Sequence, residues 1–250
     1  MSRWGVEEAR RLLTAIQYFT RIPLPRRPGY SQDRLDRSIR YLPLIGILVG
    51  GVMGLCFHLA ARLWPASLAV ALSICLGVVL TGGLHEDGLA DFCDGFFASR
   101  DRDKILAIMK DPRLGSYGVL GLVLTMLVRF SALVALAPAM IAAGLVAAHA
   151  FSRLMALLTM QSLDYVRNDY AVTKPAATSI GWFGMLIAAA CGLLPLVLLG
   201  WRAVPAAVTA ACAGAAMRWC CLRRLGGYTG DCLGATQQLS ELAFYLGLLA

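Results

Sequence analysis

The sequence predicts an all-α, polytopic integral membrane protein, a helical bundle of about six to seven transmembrane segments. Three observations carry this. Of 250 residues, 58% are hydrophobic and only 15% are charged, where a soluble domain carries about 25%. Mean hydropathy is +0.67. The apolar residues gather in runs about long enough to cross a bilayer. A disordered chain is excluded, and a soluble globular domain fits poorly.

Taken in order, residues 7–20 read as an amphipathic helix, with Leu12, Leu13, Ile16 and Phe19 on one face and Arg10 and Arg11 beside it. Such a helix suits a membrane surface. Arg10 and Arg11 interrupt the first apolar run and no small-residue cleavage site follows, so no cleavable signal peptide is expected. A Pro- and Arg-rich loop, residues 21–28, comes next. Apolar runs are expected at 41–62, 66–84, 118–137, 138–160, 183–200 and 203–219, with a shorter one at 236–250 that reads as partly re-entrant. Residues 1–250 form one membrane-embedded domain. Residues 1–40 are its basic N-terminal segment, and residues 85–117 an acidic loop.

Charge sets the expected orientation. Residues 1–40 hold nine Lys and Arg and residues 85–117 hold five, while the opposite side has little beyond Arg62 and Arg202. Positive residues favour the cytoplasmic side. That puts 1–40, 85–117, 161–180 and 220–235 in the cytoplasm. The eight cysteines include no C-x-x-C pair and do not read as a disulfide framework or a thiolate zinc site.

The acids are unevenly placed. Of 15 Asp and Glu, seven lie between Glu86 and Asp111. Asp87, Asp91 and Asp94 are spaced four and three apart, which on a helix puts three carboxylates on one face. They repel one another unless neutralised, and a hard divalent cation does so. Mg²⁺ binds through one or two carboxylates plus water and phosphate oxygens. The competing reading is an exposed acidic face at a helix start. Gly82, Gly83, Gly88 and Gly95 argue against it, because glycine weakens a helix and better suits close backbone approach to a ligand. Lys110 and Arg113, and with them Arg102, are placed to hold phosphates. Asp111 reads equally as a further metal ligand or as a cap or salt-bridge partner. His85 reads as a general base or phosphate contact, or simply as a hydrogen-bonded histidine.

A second polar segment, Arg223 to Ala235, contains Gly226, Gly227, Thr229, Gly230, Asp231 and Gly234. Its glycines could offer backbone N–H groups to an anion, or merely join two helices. Glu241 stands alone in the last apolar run, and such intramembrane acids are functional candidates by default. Arg129 is expected to pair with an acid, and Arg153 to reach the cytoplasmic interface by snorkelling.

These blocks resemble the cobalamin synthase family, the adenosylcobinamide-GDP ribazoletransferases. The resemblance rests on His85-x-Asp87-Gly-Leu-Ala-Asp91-x-x-Asp94-Gly, Ile108-Met-Lys-Asp111-x-Arg113-Leu-Gly115 and Gly226-Gly-x-Thr229-Gly-Asp231-x-Leu-Gly234-Ala. Phe19-Thr-Arg21-Ile-Pro23-x-Pro and Tyr41-x-Pro43-Leu-Ile-Gly46 add to it, so it covers nearly the whole chain. It implies a bacterial inner-membrane enzyme that joins α-ribazole, or its 5′-phosphate, to adenosylcobinamide-GDP with Mg²⁺ and releases GMP. Membrane lipid is the expected surrounding and nucleic acid is not a partner; a homo-oligomer is compatible.

Three departures stand out. Gln238 occupies a position that is often Glu in the family, Glu86 one that is often apolar, and residues 165–174 lack a glycine-rich acidic run.

The expected site is therefore Asp87, Asp231 and His85 for catalysis, and Asp87, Asp91, Asp94 and Asp111 for metal. Arg102, Lys110, Arg113, Gly115, Gly227, Thr229 and Gly230 would bind substrate, and either Asp231 or His85 would take the nucleophile's proton. Rival readings are a CDP-alcohol phosphotransferase or prenyltransferase, which also use spaced carboxylates and Mg²⁺, and a cation transporter using Asp87, Asp91 and Glu241.

Overall fold

The fold is known from a computed structural model, which describes residues 3–24, 31–166 and 179–250. The expected loops at 25–28 and 167–174 lie outside these residues. Helix α1 (Arg3–Phe19) is followed by α2 (Gln32–Ser38), whose N-cap Ser31 accepts the Arg34 amide, and by a 3₁₀ turn, Ile39–Tyr41. Pro43 starts α3 (Leu42–Ala60) at a position where its missing N–H costs nothing. Then come α4 (Ala66–Thr81), α5 (Leu84–Ala98), α6 (Arg102–Ile108), α7 (Ser116–Ala135) and α8 (Pro138–Ser162). Helix α9 (Gly181–Leu193), a 3₁₀ stretch (Leu194–Arg202), α10 (Ala203–Leu225) and α11 (Gly230–Leu249) complete the chain. Among the described residues no strand forms; Tyr165 and Tyr228 make a lone bridge.

The protein is an all-α, multi-pass membrane protein. By length and composition, four helical runs of the described residues can cross a membrane: Gln32–Ala60, Ser116–Ala135, Pro138–Ser162 and Gly181–Leu225. A fifth arises if α4 and α5, bent by 88° at their junction, make one span. Six to seven segments were expected, and the difference has physical causes. The Gly181–Leu225 run is two helices rather than one, because Gly200 leaves helical geometry (φ 58°, ψ −138°) inside it. Helix α11 has 20 residues, about 30 Å at 1.5 Å per residue, but Asp231, Gln237, Gln238 and Glu241 make it polar. It need not be apolar along its length, because it packs on α10, α5, α8 and α7 with Gln237, Gln238 and Glu241 buried. The expected re-entrant tail is the central helix of the bundle.

Close packing follows from small residues. Gly46, Gly50 and Gly54 share one face of α3, which carries the most extensive helix pair, with α8. A Cβ at Gly46 would lie 2.2 Å from the His149 carbonyl oxygen, and one at Gly50 2.6 Å from that of Leu145. Where lipid removes the hydrophobic drive, such stripes let backbones approach and van der Waals contact hold them.

The expected acidic loop is mostly helix, α5 followed by the short α6. Gly82 and Gly83 are both left-handed (φ 69° and 71°). Two consecutive residues in this region turn α4 sharply into α5, and only glycine does so without steric cost. Their task is this turn, rather than the close approach to a ligand that the sequence suggested. All eight cysteines are free.

Candidate active site

Helices α5 and α11 meet through glycine. A Cβ at Gly88 would lie 3.1 Å from Asp231 Cα, and one at Gly234 3.1 Å from the His85 carbonyl oxygen. This contact aligns the first turns of both helices. Asp87 and Asp91 flank Gly88 on α5, and Asp231 faces them from α11.

Beside the contact lies a cavity of about 790 Å³, counted with its open mouth. His85, Asp87, Gly230 and Asp231 line it, together with apolar side chains of α1, α2, α3 and α8. Two sequence blocks 140 residues apart thus reach one space. Asp87 is exposed, Asp91 and Asp231 are half-buried, and His85 is buried. The His85 side chain makes no hydrogen bond to the protein among the described residues, and His85 lines the cavity.

The remaining expected residues divide. Asp94 is spent on capping: Oδ2 accepts the Gly115 amide at 2.7 Å and Oδ1 the Gly118 amide at 2.9 Å. Its carboxylate thus starts α7 and lies 7% exposed, so both oxygens of this third expected metal ligand are engaged by backbone amides. Gly115 gives its amide to this cap instead of to substrate, and a Cβ there would strike Asp94 Oδ1. Thr229 is the N-cap of α11 and accepts the Cys232 amide at 3.3 Å, fully buried. Gly227 is buried against the Asp164 carbonyl oxygen, 2.2 Å from where its Cβ would be. Tyr228 N–H donates to Asp164 O (2.9 Å) and Val166 N–H to Tyr228 O (3.0 Å). Burial, with Tyr165 and Asp164 nearby, pushes the Tyr228 phenol up to about 12. So the Gly226–Thr229 turn joins two helices and grips the end of α8; the cavity is reached by the first turn of α11, through Gly230, Asp231, Leu233 and Gly234.

Asp111 takes its salt-bridge alternative. Arg113 chelates it through Nη2 at 2.6 Å and Nε at 2.9 Å. These hydrogen bonds, with one from the Arg113 backbone amide, hold the carboxyl at about 2. Arg102 Nε donates to the Leu225 carbonyl at 2.9 Å, closing the C-terminal end of α10. Lys110 is exposed. None of these four lines the cavity.

Sequence reasoning missed a buried polar core behind His85. Arg129 lies 3.3 Å from Glu241 and 3.9 Å from Glu86. Gln238 accepts from Arg129 and donates to Glu86 at 2.9 Å. Tyr245 donates to Glu241 at 3.1 Å. Arg153 does not snorkel: it is 1% exposed and donates to the His149 carbonyl at 3.0 Å. Two arginines and two glutamates balance in formal charge, which a low-dielectric interior requires. Glu241 is thus a neutralised partner rather than an open cation site. The expected pairing of Arg129 with an acid holds; that the acids come from α5 and α11 could not be read from one sequence.

Carboxylates are hard oxygen donors, the kind magnesium takes together with water and substrate oxygens. Among the described residues no group of three or more His, Cys, Asp and Glu is gathered tightly enough to hold a metal alone. Asp87 and Asp231 line one cavity with hard oxygen atoms, the donor type that a cation shared with a diphosphate takes; Asp91, one turn along α5 from Asp87, does not line it.

Comparison with known proteins decides the family. The sequence matches the family described as cobalamin-5-phosphate synthase over residues 11–249. The chain belongs to that family. It is 46% identical to the adenosylcobinamide-GDP ribazoletransferase of Leptothrix cholodnii, over 98% of this chain and 97% of that protein. It is 44% identical to the protein of the same name from Ralstonia nicotianae (98% and 96% covered) and 43% to that from Shewanella amazonensis (95% and 94%). No solved structure matches. For this cobalamin-5-phosphate synthase family member, the Asp-rich and Thr-Gly-Asp blocks that carried the resemblance are the ones the Gly88–Gly234 contact joins.

Proposed function

We propose that the chain completes the cobamide nucleotide loop: it transfers the adenosylcobinamide phosphate group from adenosylcobinamide-GDP to α-ribazole or its 5′-phosphate and releases GMP. The observation that carries this reading is the meeting of Asp87 and Asp231 in one cavity, in a family member that aligns over nearly its whole length with proteins of that name.

The chemistry asks for positioning and charge neutralisation more than for covalent catalysis. The acceptor oxygen bonds to the cobinamide-bearing phosphorus. The bridging P–O bond breaks, and GMP leaves with its electron pair. Asp87 and Asp91, with Asp231 opposite, would hold Mg²⁺, which when bound supplies neutralising charge to the diphosphate. His85 and Asp231 both line the cavity, and either can accept the proton of a hydroxyl nucleophile; a phosphate nucleophile needs none. Lys110 and Arg113 stand outside the cavity, on the segment after α6, where they would meet the phosphates of a donor too large to enter. The reading also places this end of the bundle, with residues 1–40, 85–117 and 220–235, on the cytoplasmic side of a bacterial inner membrane. The charge bias of the connecting segments supports it.

Full-length protein in proteoliposomes, given adenosylcobinamide-GDP, α-ribazole and Mg²⁺, should form the complete cobamide and one GMP per turnover, both resolved chromatographically. Absence of GMP release with either acceptor form overturns the reading.

A further inference from the structure

The cavity is chemically two-sided. Helices α5 and α11 supply the wall with His85, Asp87, Gly230 and Asp231. The remaining lining, from α1, α2, α3 and α8 with the turn before α3, carries Phe19, Leu35, Ile39, Leu42, Ala156 and Met160, with the exposed Tyr18 beside Phe19, and no charge. These six are at most 9% exposed, so they are interior side chains rather than part of the lipid-facing surface. The enclosed space of the cavity is about 150 Å³, below the roughly 300–1,000 Å³ of pockets that enclose a whole ligand, so it takes a single ring system rather than a whole substrate.

That size and polarity select among the parts of the two substrates in the proposed reaction, on which this inference rests. A corrinoid macrocycle fringed with amides is too large and too polar for the apolar wall. Guanosine would leave its base-edge donors and acceptors unpaired there, which is costly. The heterocycle of the acceptor is flat and apolar, and it is joined to a ribose that carries the reacting oxygen. We infer that the wall of Leu35, Ile39, Leu42, Ala156 and Met160 holds the acceptor's base, with its ribose turned toward Asp87 and Asp231. Ala156, the smallest of these side chains, and the flexible Met160, one helical turn further along α8, set the size of base accepted. The corrinoid stays at the cavity mouth and presents only its diphosphate.

The test uses full-length protein in proteoliposomes, with kcat and KM measured separately for donor and acceptor. The acceptors are the α-ribosides of 5,6-dimethylbenzimidazole and of unsubstituted benzimidazole. Ala156→Leu adds bulk to the wall. It should raise KM for the dimethyl riboside about tenfold, the scale on which apolar pockets discriminate methyl-sized groups. KM for the unsubstituted riboside should rise less, and the donor KM should stay within about twofold. Met160→Ala enlarges the same wall and should shift preference the other way, toward bulkier bases. A change in donor KM without a change in acceptor KM overturns the assignment. So does an unchanged acceptor preference in both variants. Wild-type protein that releases no GMP with either riboside sinks the proposed reaction itself, an outcome separate from a failed size preference.

Discussion

Gly88 of α5 lies against Asp231 of α11 so closely that a Cβ would sit 3.1 Å from both the Cα and the carbonyl oxygen of Asp231. Both atoms belong to backbone, which cannot swing aside as a side chain end would. Gly88→Ala should therefore push the two helices apart by a few tenths of an ångström and misplace Asp87 and Asp91 against Asp231. Turnover should fall roughly tenfold, and Gly88→Val about 100-fold, the cost of misplacements near 1 Å. Both proteins should still insert. Steady-state GMP release checks this, with detergent-solubilised yield as the folding control.

The three acids of α5 should respond differently to substitution. Asp87→Ala or Asp91→Ala should abolish turnover while the protein folds and inserts. Asp94→Ala should instead cost about 1 kcal/mol of stability, as loss of an N-cap does, and keep measurable turnover. Thermal unfolding and activity of the three variants separate the roles. Substantial Mg²⁺-dependent activity in both Asp87→Ala and Asp91→Ala refutes the metal assignment.

The buried pair Arg129–Glu241 should be costly to break from one side. Arg129→Met strands Glu241 and Glu86 in the bundle, and such a loss runs about 3–5 kcal/mol. Glu241→Gln strands Arg129 in the same way, though Glu86 and Gln238 remain as partners and soften the effect. The double variant should be less destabilised than the sum of the two, which a double-mutant cycle on unfolding midpoints measures. Simple additivity would show the pair to be uncoupled.

Asp111 should not set the pH dependence of the enzyme. Its folded carboxyl lies near 2, below the ordinary 3.8, because Arg113 donates to its charged form. A depressed folded value means that any stabilisation from the pair is complete above about pH 4 and is lost as pH falls toward 2. Asp111→Asn should leave the shape of the pH–rate profile unchanged from about pH 5 to 9. An acidic limb that disappears in this variant would contradict it.

The architecture was legible in the sequence because lipid imposes a simple rule: a helix that faces lipid must be apolar along its length. The runs at 41–62, 118–137 and 138–160 obey it and are α3, α7 and α8. Helix α11 escapes the rule because neighbouring helices enclose it, so composition alone made it a short tail. The Asp87–Asp91 spacing already placed these acids on one helical face, and the family blocks already marked Asp231. Spacing could not tell Asp94, in the last half of α5, from Asp87 and Asp91. What sets it apart is the arrival of the Gly115 and Gly118 amides, a contact made 21 and 24 residues away. The apolar wall of Phe19, Leu35, Ile39, Leu42, Ala156 and Met160 was invisible for a similar reason. In sequence, a buried pocket wall and a lipid-facing stripe have the same composition. By itself the sequence determined a membrane-embedded helical bundle with an acidic face and a partner block near its end. Only the tertiary structure decided which carboxylates cap a helix, which pair with arginine and which line the cavity, because capping, pairing and burial are settled by which backbones approach one another.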